Sequence, residues 1–273
     1  MGYKQNLHTH SVYCDGNDTL EEMILAAVEQ GFNSIGFSAH SYIEAIKGFS
    51  MDPVAAVQYK ADLLRLKNRY REKIQIFCGL ERDYNTRMDS TGYDYIIGSV
   101  HCMEVNGVPL FVDWDAEKLK HNVEDVFCGD GLAYAKHYYG EVAKIADSCS
   151  VDIIGHFDLV TKFSERTDYF DTLSEEYVKT AVNAIEALEG KVPYFEVNTG
   201  AMARGYRSAP YPADNLIGEF RKRGFGAIIT TDCHSKELLS FGYDAAKEYL
   251  IRSGFTHHYI LTENGFVPVS LFD

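Results

Sequence analysis

Short apolar runs of strand length alternate along the chain with longer segments whose apolar residues recur every three or four positions. Residues 3–10 read as a first strand and 19–30 as a helix, with Leu20, Ile24, Ala27 and Val28 at helical spacing. Residues 33–40 (NSIGFSAH) predict a second strand. A long helix follows over 53–71, with Asp52 placed to cap it and Pro53 in its first turn. Residues 73–84 and 94–101 (DYIIGSVH) predict the third and fourth strands. The stretch 104–130 interrupts the alternation, carrying the single tryptophan, Trp114, and many acids. Regular alternation then returns: helix 132–149, strand 151–157, helix 174–188, strand 194–198, helix 213–223, strand 227–232 and helix 238–252. Residues 257–271 read as a hairpin turning at Asn264–Gly265.

Seven strand-plus-helix units predict a parallel (β/α) barrel, with an open doubly wound sheet as the competitor. There is no Gly-rich phosphate loop, linker, low-complexity tract or internal repeat. The expectation is one domain over residues 1–273 with an insert at about 104–130.

Composition narrows the classes. The 273 residues are 46% hydrophobic and 24% charged, as in ordinary globular proteins. A net charge of -14 argues against a nucleic-acid partner, which calls for Lys/Arg-rich surfaces. It leaves a small phosphate ester open, because buried cations reverse the local potential. No run approaches the ~18 apolar residues of a membrane span, and residues 1–8 lack the core of a signal peptide. The six cysteines contain no CxxC pair and read as reduced thiols of a cytoplasmic protein.

The chemistry gathers at the C-terminal ends of predicted strands, which form the active face of a parallel barrel. His8 and His10 are two apart, so both imidazoles point the same way. Asp232 and His234 repeat that spacing on the last strand, and His40, Glu81, His101 and His156 each end or follow an apolar run. Asp15 lies in the loop after the first pair. One histidine at a strand end is ordinarily a hydrogen-bonded structural residue. Six of the ten histidines there, with three acids on the same edge, have no packing explanation and predict a metal site for first-row divalent ions. His121, His137, His257 and His258 lie outside the pattern, with His121 in reach of a substrate only if the insert folds over the site. Cys102 and Cys233 should face away from the ligands, and Cys14, in a loop, is open.

The ordered series HTH…D, SAH, GLE, GSVH, IGHFD and TDCH resembles the ligand series of the polymerase-and-histidinol-phosphatase (PHP) family, from His8 to His234. In detail it is similar to the monofunctional histidinol phosphatases of that family. The resemblance implies a distorted seven-stranded barrel holding three divalent metals, with Mn, Fe, Zn or Co all suited to such ligands. His8, His10, Glu81 and Asp232 would hold the first; Glu81 would bridge to a second with His101 and His156; Asp15, His40 and His234 would hold the third. It implies a metal-dependent phosphomonoesterase of histidine biosynthesis, converting L-histidinol phosphate to L-histidinol and phosphate. Clustered dications suit that chemistry, and the expected route is attack by a metal-bridging hydroxide without a phosphoenzyme.

Arginine forks match phosphate oxygens. Arg204 lies in a segment similar to the NTG-x-x-R of histidinol phosphatases, and Arg166 and Arg207 are further substrate-binding candidates. Asp15, His234 or a bound water would protonate the leaving oxygen. Glu104, Asp113, Asp115 and Asp158 are acids available to a cationic amine and imidazole. Competing readings are a PHP phosphoesterase for nucleotides or DNA ends, an amidohydrolase-like metal hydrolase, and a non-catalytic metal-binding domain. The amidohydrolase reading lacks a lysine at a predicted strand end.

Overall fold

In the computed structural model, which describes residues 2–44 and 48–272, the alternation becomes a curled sheet wrapped by helices. The chain opens with β1 (Gln5–Asn6), α1 (Leu20–Glu29), β2 (Ser34–His40), α2 (Pro53–Tyr70), β3 (Gln75–Asp83) and β4 (Tyr95–Ser99). A hairpin of β5 (Cys102–Val105) and β6 (Val108–Phe111) follows, then α3 (Ala116–His121), which runs into a π-helical turn at Asn122–Val126. Next come α4 (Gly131–Val142), β7 (Ile153–Ile154), α5 (Glu175–Leu188), β8 (Tyr194–Asn198), α6 (Gly200–Ala203), α7 (Asp214–Lys222) and β9 (Gly226–Thr230). The chain finishes with α8 (Tyr243–Arg252), β10 (His257–Thr262) and β11 (Gly265–Ser270).

The seven-stranded sheet runs β1-β2-β3-β4-β7-β8-β9, all neighbours parallel. Its edges meet at a parallel bridge between Thr9 and Cys233, where the His10 N–H donates to the Cys233 carbonyl at 2.9 Å. This nearly closed barrel is the distorted seven-stranded architecture expected. The ladder of β1 is far shorter than residues 3–10, because the Asn6 side chain takes over the seam. Its Oδ1 accepts from the N–H groups of His8 (3.1 Å) and Thr231 (3.3 Å), and its Nδ2 donates to Thr231 Oγ1 (2.6 Å). A side-chain amide thus replaces a rung between the first and last strands.

Alternation along each strand sorts the side chains. Ile76 and Leu80 of β3 join the large core under the helices, while Phe77 faces the barrel interior. There it packs with Leu7, Tyr95, Ile97, Ile153 and Ile228, and with Leu261 of the terminal hairpin. Gln5 ties that hairpin to the barrel floor, donating to the Leu261 carbonyl (2.8 Å) and accepting from its N–H (2.7 Å). Tyr95 crosses the floor and donates to the Leu7 carbonyl. Gly79 makes room for it, since a Cβ at that position would lie 2.2 Å from a carbon of the ring. Above this apolar plug the inward positions turn polar and buried: Glu81, Ser99, Glu196 and Thr230.

Local signals set the helix starts. Thr19 and Glu22 form a reciprocal capping box on α1, and Asp52 accepts from Val54 and Ala55 N–H groups at 2.8 Å each, ahead of Pro53. Several boundaries differ from the expectations. The stretch taken as an irregular insert is ordered from Cys102 onward, its hairpin turning on Asn106 and Gly107 at φ 53° and 77°. The helix expected over 132–149 ends at Val142, and the chain continues in tighter turns such as Asp147 N–H to the Lys144 carbonyl (2.9 Å). Gly242, at φ 66°, holds α8 back to Tyr243 rather than 238. The terminal hairpin pairs Thr262 with Gly265, so it turns at Glu263–Asn264, one residue early. No helix among the described residues is long and apolar enough to cross a membrane.

Gly79→Ala should lower the unfolding free energy by about 1–3 kcal/mol in urea titrations, as overpacking against a pinned ring does. Gly140→Ala, on α4 with nothing within 4 Å of the added methyl, should instead raise it by about 0.5–1 kcal/mol. Equal effects from the two would contradict the tight interior described here.

Candidate metal centre

The barrel brings nine side chains from its strand ends and adjoining loops to one place. Glu81, at the end of β3 and fully buried, sits among them. Its Oε2 lies 3.1 Å from His8 Nε2, 2.8 Å from His40 Nδ1 and 3.6 Å from His10 Nε2. Its Oε1 lies 3.2 Å from His101 Nε2 and 2.9 Å from His156 Nε2, and accepts from Ser99 Oγ at 2.8 Å. Asp232 Oδ1 is 3.2 Å from His10 Nε2 and 3.6 Å from His8 Nε2. Asp15 closes the outer end, 3.2 Å from His234 Nε2 and 3.5 Å from His40 Nε2. His10 and His234 stack with ring centroids 4.2 Å apart. Asp232 itself adopts φ 46°, a left-handed conformation rare outside glycine, which marks it as a position held by its surroundings.

Burial and charge act against each other here. Desolvation would raise the Glu81 carboxyl, but His8, His101 and His40 hold it well below the ordinary range. Burial likewise opposes ionisation of Asp232, yet Arg204 and His8 hold it well down. Burial would lower His8, and Glu196, Glu81 and Asp232 instead raise it well above 6.5. His101 is raised well above 6.5 against burial, chiefly by Glu81, and His40 is raised in the same way. His10 goes the other way, to about 3, through burial and the nearby His234 and His40 side chains.

The donor set fits divalent cations. Two atoms each ~2.0–2.2 Å from one ion stand about 3.0–3.5 Å apart, close to the nitrogen–oxygen separations above. His8 Nε2, His10 Nε2 and Glu81 Oε2 are buried with no hydrogen-bond partner, a costly condition that an ion relieves. The ligand atoms fall into overlapping groups within 4.8 Å: His8, Glu81 and His156; His8, His10 and Asp232; His40, Glu81 and His101; and His10, Asp15, His40 and His234. Glu81 belongs to two of them, the position of a bridge.

A cavity of about 240 Å³ opens over the cluster. Arg204 lines it, following the short α6, and its guanidinium donates to the Asp232 carbonyl (2.9 Å) and Oδ2 (3.0 Å). The other two arginines lie elsewhere. Arg207 is buried against Asp158 and Thr161 and over the Tyr211 ring. Arg166 donates to the Gly205 carbonyl and packs over Tyr206. Of the acids considered for a cationic substrate group, only Asp113 lines the cavity. Asp115 caps α3, Asp158 is taken by Arg207, and the Glu104 backbone pairs with Glu141 and His137. His121 pairs with Asp125 on the exposed surface, away from the cavity. Cys14 contacts His10 Nδ1 at 3.4 Å, and burial pushes its thiol up to about 12.

The pattern of strand ends missed several residues that the geometry adds. Lys162 reaches the cavity with its ammonium on Asp113, 2.7 Å from the carbonyl and 3.0 Å from Oδ2. Lys162, with the nearby His101, holds Asp113 at about 2 against burial. Phe49, Phe111, Trp114, Leu159 and Tyr206 give the cavity an apolar wall. Behind the ligands stand Asp83, which accepts from the His101 N–H (2.7 Å), and Glu196, 2.8 Å from His8 Nδ1. Asp83 follows a readable rule, since it is two residues beyond Glu81 and shares its face.

Known proteins share the sequence and the fold over nearly the whole chain. A protein of Schizosaccharomyces pombe named "Probable histidinol-phosphatase" is 27% identical over 91% of this chain and 86% of its own length. The histidinol-phosphatase of Bacillus subtilis is 26% identical over 90% of this chain and 98% of its own. The crystal structure of histidinol phosphate phosphatase from Lactococcus lactis, complexed with Zn, L-histidinol and phosphate, superposes with a TM-score of 0.76 at 19% identity, covering 97% of this chain and 98% of that one. The PHP domain family matches residues 6–200, well over half of the sequence, and this protein belongs to that family.

Proposed function

We propose that this protein is a histidinol-phosphatase, releasing L-histidinol and phosphate from L-histidinol phosphate. The observation that carries the reading is the convergence of nine His, Asp and Glu side chains beneath one small cavity that also presents Arg204 and Lys162. Relatives named as histidinol-phosphatases over nearly the whole chain support it. The family resemblance divides the ligands among three ions, one on His8, His10, Glu81 and Asp232, one on Glu81, His101 and His156, and one on Asp15, His40 and His234; the geometry groups His156 with His8 and Glu81, and His101 with His40 and Glu81. Mn, Fe, Zn and Co all match these donors. When bound, such ions neutralise phosphoryl oxygens and make water a nucleophile at neutral pH.

The chain's own residues do the remaining work. Arg204 and Lys162 supply positive charge where a phosphate dianion enters. Arg204 also pins Asp232 through its second nitrogen, so it orients a ligand while it faces the cavity. Asp15 and His234 are the most exposed members of the set; against burial, His40 and His234 hold the Asp15 carboxyl far below the ordinary range, so it serves as a ligand and not as a proton donor. The aromatic wall receives the apolar body of the substrate and excludes water, and Asp113 offers a carboxylate to its amine. Six free thiols suit a reducing, cytoplasmic setting.

Phosphate release should be fastest with histidinol phosphate, against nucleoside monophosphates and DNA ends, and should vanish on chelation and return with a divalent ion. Activity confined to nucleotides would overturn the substrate assignment. Arg204→Ala should lower kcat/KM about 10²–10³-fold, the loss typical of one group that stabilises developing charge. Because His8, His40 and His101 are raised, they carry protons near neutrality when no ion competes. Adding metal to stripped protein in weak buffer should therefore release protons, and metal affinity should fall as pH falls. Uptake without acidification would contradict the charge balance described.

A further inference from the structure

An imidazole that offers Nε2 to a cation must carry its single proton on Nδ1, and whatever faces Nδ1 decides whether it does. For His8 that neighbour is Glu196, buried at the inward face of β8. We propose that Glu196 is a positioning residue that locks His8 in the Nδ1–H form and so keeps Nε2 open for a divalent ion, an inference that rests on the metal-centre reading above.

The proton bookkeeping leaves Glu196 one role. Its Oε1 accepts from the His156 backbone N–H (2.5 Å) and from Asn198 Nδ2 (2.8 Å). A backbone N–H is always a donor. The Asn198 amide is pinned as well, because its Oδ1 accepts from the Gly200 N–H at 2.8 Å. Oε2 then remains for His8 Nδ1 (2.8 Å) and Thr230 Oγ1 (2.9 Å). An ionised carboxylate only accepts, so His8 must donate through Nδ1. Its Nε2 faces inward without a hydrogen-bond partner, 3.1 Å from Glu81 Oε2 and 3.6 Å from Asp232 Oδ1. An incoming ion displaces a proton from Nε2 alone, since the other is held. His8 is more firmly anchored from behind than His10 or His101: the outer nitrogen of His10 meets the Cys14 sulfur at 3.4 Å and Asp15 Oδ1 at 3.8 Å, and His101 Nδ1 is 3.4 Å from Asp83.

Glu196→Gln keeps the shape and reverses the proton. The new amide must present its oxygen to the His156 N–H and Asn198 Nδ2, so its NH₂ faces His8. His8 Nδ1 must then accept, which moves its proton to Nε2, into the cluster. Zinc affinity and zinc content per chain, measured by chelator competition and metal analysis on wild type and Glu196→Gln, test this. The variant should bind the ions touching His8 about 10–100-fold more weakly, the usual effect of losing such a partner. Near-ultraviolet circular dichroism of the metal-stripped forms should match, so that the weakened binding reads the His8 proton and not a misfolded chain. Wild-type zinc affinity in a folded Glu196→Gln overturns the proposal. Should the variant not fold, histidine ¹⁵N NMR of the zinc-loaded wild type decides it. A proton on His8 Nδ1 supports the assignment and one on Nε2 overturns it. A wild-type chain that binds no zinc, manganese, iron or cobalt would sink the metal-centre reading itself, a distinct result.

Discussion

The Glu81 carboxylate is the constraint around which the structure is arranged. An ionised carboxylate taken out of water costs several kcal/mol unless its surroundings replace hydration. Here four imidazoles and the Ser99 hydroxyl lie within 3.2 Å of it. The four imidazoles come from the ends of β1, β2, β4 and β7, so the charge balance exists only when the barrel is closed. The seam between first and last strands matters for the same reason. Asn6 and the Thr9–Cys233 bridge bring His8 and His10 beside Asp232 and His234.

Two further layers keep that arrangement rigid. Below, the apolar plug around Tyr95, sealed by the terminal hairpin through Gln5, denies water a route to the cluster from the floor. Behind the ligands, Asp83 and Glu196 hold histidines in place by charge-assisted hydrogen bonds. The mouth differs in kind. It is apolar and aromatic on the side built by the hairpin and its following loop, with Asp113 and Lys162 joined across it. Arg204 and the Asp113–Lys162 pair place charge at the same mouth as the rings, so one small cavity combines polar and apolar walls.

Much of this was legible because strand ends carry side chains that packing does not request. All nine ligand-type residues lie together as the order HTH, SAH, GLE, GSVH, IGHFD and TDCH suggested. The three arginines show where such reading stops. Arg166, Arg204 and Arg207 all follow strand ends, yet only Arg204 turns toward the cavity. Arg207 is drawn away by Asp158, itself an acid that looked free, and Tyr211. Lys162 gave no signal, because its place is set by Asp113, 49 residues away.

The amino-acid sequence by itself determined the repeating strand-and-helix order, the helix caps at Thr19 and Asp52, and the set of potential ligands. Those properties depend on periodicity and on neighbours a few residues apart. It also held the Asn106–Gly107 turn, whose hairpin the interruption of the barrel pattern obscured. Tertiary structure alone decided which polar residues pair with each other, which nitrogen of each histidine faces the cluster, and which loops wall the cavity. These outcomes rest on contacts between segments distant in the chain, and a buried charge selects its partner only after folding has removed water as the alternative.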